Sequence, residues 1–391
     1  MFFVDKPYIS DFLRKTLKER GIPVVGTEIA KKLALYDGTN VISESEAIEM
    51  LHRQENLPIY TTSENAIGWL AENLSFTGLP QKIELFKNKL AFRQLTRPLF
   101  PDFYFREVRA EDLNKIPFAD IPLPFIIKPA VGFFSMGVYK VANQQDWLHA
   151  VSSISTEIEE VKGLYPEEVL DAESFIIEQC IEGDEFAIDA YFDADGKPVV
   201  VGIFQHTFAS ATDVSDRVYT TSKKVIEENL AEFTDFVDKI GKLAGVKNFP
   251  VHIELRRTPD NTLLPIEVNP MRFGGWCTTA DMTFLAYGLN PYLALYQQTK
   301  PAWPELLADK AGKLFSIVIL DNSTGKPADK IASFDYSKLL ATFAKPLELR
   351  KIDYTQYPVF GILFTETKEE NIGELVNILK SDLNEFIVSS T

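Results

Sequence analysis

Residues 251–269 read VHIELRR, TPDNT and LLPIEVN, two strand-like runs around a cluster of turn formers. A strand alternates its faces with period two. His252, Glu254 and Arg256 therefore share one face, and Val251, Ile253 and Leu255 the other. In the second run Pro265, Glu267 and Asn269 oppose Ile266 and Val268. A turn symmetric about Asp260–Asn261 predicts Glu254 opposite Glu267, and His252 opposite Asn269. Like charges directly opposite each other destabilise a sheet, and two half-buried carboxylates raise each other's pKa. A divalent cation removes that repulsion. Glu254, Glu267 and the amide oxygen of Asn269 form a hard-oxygen set of the kind magnesium takes together with substrate phosphates. The competing reading is a solvated hairpin face, and one extra loop residue would break the register.

The rest of the chain limits where such a site can sit. Its 391 residues suit two or three domains, or one domain with subdomains. A formal charge of −16 argues against a general nucleic-acid or acidic-membrane surface, so an anionic ligand needs a local basic pocket. No apolar run reaches the ~18 residues of a membrane span. MFFVDKPYISDF is not a signal peptide, because Asp5 and Lys6 interrupt it. The two cysteines, Cys180 and Cys277, stand outside any CxxC, and four scattered histidines form no HExxH. The expectation is a soluble, cytoplasmic protein.

Residues 1–85 alternate short apolar runs (MFFV, IPVV, LPIY) with helical patterns, which predicts a doubly wound α/β domain with a parallel sheet. No GxGxxG follows the first strand, so the dinucleotide fingerprint is missing. IELFKNKLAFRQL reads as one helix. From residue 123 the texture is β-rich, and residues 306–391 read as a small C-terminal α+β segment with strands FSIVILD, LELRKI and VFGILF.

Three further stretches carry candidate chemistry. In IIKPAVGFFSMGVYKV, Lys128 ends a strand before a glycine-punctuated loop, where Gly132 and Gly137 permit an anion-binding nest and Lys128 a point charge for phosphate. An ordinary hairpin loop is the alternative. In FIIEQCIEGDEFAIDAYF, Glu178 projects from an apolar strand and needs a donor. An adenine amino group is one such donor, with the Cys180 and Ile181 backbone reading the rest of the purine edge. Two loops are substrate candidates: 207–224, where Arg217 suits a carboxylate, and 272–281, where Gly274 and Gly275 permit close approach and Trp276 forms a wall.

Taken in order, Lys89 in FKNKLAFR, Lys128, EQCIEGDE, the acid pair and IEVNP resemble the ATP-grasp superfamily, in its D-alanine–D-alanine ligase-like and biotin carboxylase-like form. The resemblance covers roughly residues 1–290. It implies an N-terminal α/β domain (1–85), a two-subdomain ATP-grasp domain (86–305, with 123–183 covering the nucleotide) and the C-terminal segment (306–391). It implies ATP, bound through Lys89 and Lys128 on the phosphates, Ser135 closing over them, Glu178, Cys180 and Ile181 at adenine and Glu185 at ribose. It implies two magnesium ions, or manganese in their place, on Glu254, Glu267 and Asn269. The arginine that meets the acyl phosphate is Arg272 or Arg256, because Met271 interrupts the usual Asn-Pro-Arg. The implied activity is an ATP-dependent carboxylate–amine ligase forming a C–N bond through an acyl phosphate. A carboxylase-type enzyme activating bicarbonate and a non-catalytic nucleotide-binding module are the alternatives. The expected partners are small-molecule carboxylates and amines and a second copy in a homodimer, not nucleic acid or a membrane.

Overall fold

The computed structural model describes residues 1–54, 57–131, 137–161, 174–209 and 217–389. Four short strands open the chain: β1 (Phe2–Phe3), β2 (Val24–Val25), β3 (Val41–Ile42) and β4 (Tyr60–Thr61). They pair in parallel in the order β3-β2-β1-β4, as the strand–helix alternation predicts. Helices α1 (Asp11–Glu19), α2 (Glu44–Arg53) and α3 (Ile67–Asn73) connect and follow them. Ser43 caps α2 in a capping box with Glu46.

The single helix predicted over IELFKNKLAFRQL is two, α4 (Leu79–Lys87) and α5 (Lys89–Thr96). Asn88 takes an extended backbone (φ −84°, ψ 111°), and its side chain accepts from the N–H groups of Leu90 and Ala91. An asparagine that competes for backbone donors ends one helix and starts the next. Lys89 thereby becomes the first residue of α5.

A small antiparallel sheet follows, from β5 (Phe105–Arg109), β6 (Phe125–Pro129), β7 (Tyr139–Val141) and β8 (Ser174–Gln179), in the order β5-β8-β6-β7. Helix α6 (Gln144–Val161) packs its Trp147, Val151 and Ile154 against it. The main sheet has eight strands. These are β9 (Asp184–Phe192), β10 (Pro198–Thr207), β11 (Val218–Ser222), β12 (Phe249–Arg257), β13 (Leu263–Pro270), β14 (Lys313–Asp321), β16 (Pro346–Lys351) and β17 (Val359–Lys368). Their order is β13-β12-β9-β10-β11-β14-β17-β16, so strands from beyond residue 306 continue the sheet begun by β9. A separate pair joins β15 (Ile331–Phe334) to β18 (Ile387–Ser389). Helix α7 (Lys223–Ala244) covers one face of the main sheet, with Phe233, Val237 and Ile240 buried against Ile253 and Leu255. Gly241 makes that approach possible, since a Cβ there would lie 2.0 Å from the Phe192 ring. The other face carries the polar residues. Among the described residues no helix is long and apolar enough to cross a membrane.

Candidate active site

The polar face of the main sheet is organised by pairing across β9, β12 and β13. Three cross-strand rows run side by side: Asp189–His252–Asn269, Ala187–Glu254–Glu267 and Glu185–Arg256–Leu264. Glu254 does oppose Glu267, and His252 opposes Asn269. The route to this register differs from the symmetric turn. Arg257 pairs with Leu263, and the Thr258 N–H donates to the Thr262 carbonyl (3.0 Å), which leaves a three-residue loop with Asn261 at φ 63°. Continued without interruption, that turn would set Glu254 opposite Ile266. A β-bulge intervenes: Leu255 pairs with Pro265 and Glu254 with Glu267, and Ile266 is the extra residue.

The two carboxylates differ in their surroundings. Burial and Glu267 push the Glu254 carboxyl above its usual range, against the pull of His252. Burial also opposes the charge of Glu267, but Lys89 and Lys128 overcome it and hold its pKa low. Lys89 Nζ is 3.5 Å from Glu267 Oε2, and Asn269 Nδ2 donates to Glu267 Oε1 at 3.1 Å. His252 Nδ1 lies 2.7 Å from Asp189 Oδ1 and its Nε2 3.6 Å from Glu254 Oε1. Burial disfavours the imidazolium, yet these carboxylates push the His252 pKa up to about 9. Among the described residues no three His, Cys, Asp or Glu side chains form a metal-binding group. Two acids and an amide oxygen fit magnesium completed by phosphate oxygens and water, and the repulsion at Glu254 is what such an ion relieves.

Basic groups border this face. Lys128, at the end of β6, sits 2.5 Å from Glu178 Oε1, and Arg93 Nε donates to Glu178 Oε2 at 2.7 Å. Both oxygens of Glu178 are engaged, so the need for a donor read from the sequence is met by two cations rather than by adenine. Burial works against the Glu178 charge, but Arg93 and Lys128 bring its pKa down to about 2. On the other side, Arg272 Nη2 donates to Glu64 Oε1 at 2.8 Å, and Lys87 pairs with the other Glu64 oxygen.

Several expected site residues are paired within the fold. Arg256 Nε donates to Glu185 Oε2 (2.9 Å) and its Nη1 to the Ile181 carbonyl (2.5 Å). Glu185 also meets His206 Nδ1 at 2.9 Å, so the ribose role given to it competes with two cross-strand partners. The Cys180 N–H donates to the Pro124 carbonyl (3.1 Å). Arg217, expected at the substrate, is 5% exposed. It binds Asp321 through Nε (3.0 Å) and Nη2 (2.8 Å), and the Ile378 carbonyl through Nη1 (3.2 Å), at the C-terminal end of the helix Gly373–Lys380. Basic groups suit exposed helix carbonyls. Ser135 and Gly132 lie outside the described residues. The Gly274 N–H donates to Asp189 Oδ1 (3.1 Å) and Thr279 Oγ1 (2.8 Å), and a Cβ there would lie 2.3 Å from that Oγ1. Gly275 has open space beside it. Trp276, at φ 57°, stacks near the Tyr8 ring (6.2 Å) and meets the Tyr357 ring edge-on (5.0 Å).

Residues 121–280 match the family described as the ATP-grasp domain. That stretch of the chain is similar to the ATP-grasp domain. The same fold is found in the L-amino acid ligase of Bacillus licheniformis (TM-score 0.71, 16% identity, 100% of this chain and 98% of that one). It is found in the biotin carboxylase of Campylobacter jejuni (0.62, 15%, 100% and 92%). It is found too in the N5-carboxyaminoimidazole synthase of Aspergillus clavatus, solved with ADP and its aminoimidazole ribonucleotide (0.63, 13%, 97% and 98%). No curated protein sequence matches the chain. Sequence reading missed Arg93, Lys87, Glu64 and Asp189 as neighbours of the site. Only Arg93 had a local signal, its position four residues after Lys89 on one helix face.

Proposed function

We propose that the chain is an ATP-dependent ligase that activates a small-molecule carboxylate as an acyl phosphate and joins it to an amine, releasing ADP and phosphate. One observation carries this reading: Glu254 and Glu267 are turned toward each other on a bulged hairpin, with Lys89 3.5 Å from Glu267. Lys89 and Lys128 bind the nucleotide phosphates as point charges. The Cys180 carbonyl and Ile181 N–H take the purine edge. Glu254, Glu267 and Asn269 hold two magnesium ions, which when bound neutralise the phosphates so that an anionic carboxylate approaches the γ-phosphorus. Arg272, held by Glu64, meets the acyl phosphate before the amine attacks its carbonyl carbon and phosphate departs. The open side of Gly275 and the ring of Trp276 line the substrate.

The test is magnesium-dependent ADP release across a set of amino acids and small acids, each with and without an amine acceptor. ADP release requiring both acid and amine is expected. Release driven by bicarbonate alone would replace this reading with a carboxylase. ATP binding without turnover on any acid would leave a nucleotide-binding module.

A further inference from the structure

Arg93, so far only a partner of Glu178, also reaches the acidic hairpin. It lies on α5, one turn after Lys89, and is 3% exposed. Its Nη1 donates to the Pro265 carbonyl at 2.6 Å, its Nη2 to the Ile266 carbonyl at 3.3 Å and its Nε to Glu178 Oε2 at 2.7 Å. Its guanidinium carbon lies 4.2 Å from the centre of the Phe103 ring.

The two carbonyls are those of the β-bulge. The three-residue turn by itself sets Glu254 opposite Ile266, and a one-residue slip sends every following side chain of β13 to the other face. Glu267 and Asn269 would then point into the apolar layer, and Ile266 and Val268 toward the polar one. The bulge prevents this, but a bulge takes backbone groups out of the ladder, and buried carbonyls need donors. The planar fork of Arg93 supplies two parallel donors there, and its third nitrogen anchors Glu178, whose other oxygen holds Lys128 at 2.5 Å.

We propose that Arg93 is a positioning residue for the cation-binding face: it fixes the bulge that turns Glu267 toward Glu254 and, through Glu178, fixes Lys128 beside the same hairpin. The proposal rests on the reading of Glu254, Glu267 and Asn269 as ligands of a divalent cation.

The test uses the full chain with manganese as the probe ion and a non-hydrolysable ATP analogue, reading bound manganese by electron paramagnetic resonance and folding by thermal melting. Arg93→Lys keeps the positive charge for Glu178 but cannot reach both carbonyls. It should stay folded and lose about 10-fold or more in manganese affinity, the loss typical of removing an outer support of a metal site. In turnover, the magnesium concentration at half-maximal rate should rise by a similar factor. A second variant, Arg93→Gln with Glu178→Gln, removes the buried Arg93–Glu178 ion pair as a unit and should show the same loss. Wild-type manganese affinity within two-fold in either folded variant overturns the proposal. Failure of both variants to fold makes Arg93 a stability residue and overturns it equally. A wild-type chain that binds no manganese with the analogue defeats the underlying functional reading instead, so the two failures are separable.

Discussion

Glu254→Gln separates two roles for one carboxylate. Glu254 either neutralises the His252 imidazolium or waits for a cation. The geometry favours the second: His252 Nε2 is 3.6 Å away, beyond hydrogen-bonding range, whereas Nδ1 is committed to Asp189 at 2.7 Å. Two carboxylates in a cross-strand pair at roughly 5 Å repel by about 3 kcal/mol at an effective dielectric constant near 20. His252 and Lys89 return most of that, so removing one charge should leave the ligand-free protein more stable by roughly 1 kcal/mol. With an unfolding entropy of about 2.1 cal/mol/K per residue over 391 residues, this is a rise in Tm of about 1 °C. Magnesium-ATP at 100 times its dissociation constant stabilises by about 2.7 kcal/mol, which on the same scale raises the wild-type Tm by roughly 3 °C. In Glu254→Gln that increment should fall below about 1 °C, and ADP release should drop by about 100-fold or more, as for a lost metal ligand. Differential scanning fluorimetry with and without magnesium-ATP measures both quantities. A ligand-free Tm several degrees lower, with the magnesium-ATP increment intact, would refute the reasoning and make Glu254 a partner of His252.

Arg217→Ala strands Asp321 and the carbonyls at the end of the helix Gly373–Lys380. It should destabilise by roughly 3 kcal/mol, about 4 °C in Tm, while leaving the KM for the acid substrate unchanged; a raised KM at constant Tm would return Arg217 to the substrate site. Burial opposes the charge of Glu64, but Arg272 and Lys87 draw its pKa from 4.5 down to about 2. A carboxyl whose folded pKa is depressed contributes stability that is present above the unfolded value and lost as pH falls through the folded one. Tm should therefore decline between about pH 4.5 and pH 2, and Glu64→Gln should make that decline shallower, Glu178 supplying the remainder. An unchanged slope in melts across that range would contradict the pairing.

What could be read from the chain was what is local. Period-two alternation placed Glu254 and Glu267 on one face, strand–helix alternation implied the parallel N-terminal sheet, and Lys128 ended a strand before glycines. The ionic partners are not local. Arg93 and Glu178 are 85 residues apart, Arg217 and Asp321 are 104, and Glu64 and Arg272 are 208. No periodicity encodes such pairs, so a lone charge on a strand, as at Glu178 or Arg217, looks available for a ligand when the fold has already matched it. The hairpin shows the same limit in a sharper form. Its facing acids were expected from a turn symmetric about Asp260–Asn261, but the turn is a three-residue loop, and the register is restored only by a bulge whose carbonyls a distant helix supplies with donors. A short motif therefore specified which side chains must meet, while the means of making them meet lay in α5. Since the bulge is held from outside the hairpin, the geometry of the acid pair depends on the packing of α5 against β13, and substitutions that disturb that packing should weaken cation binding without touching a ligand.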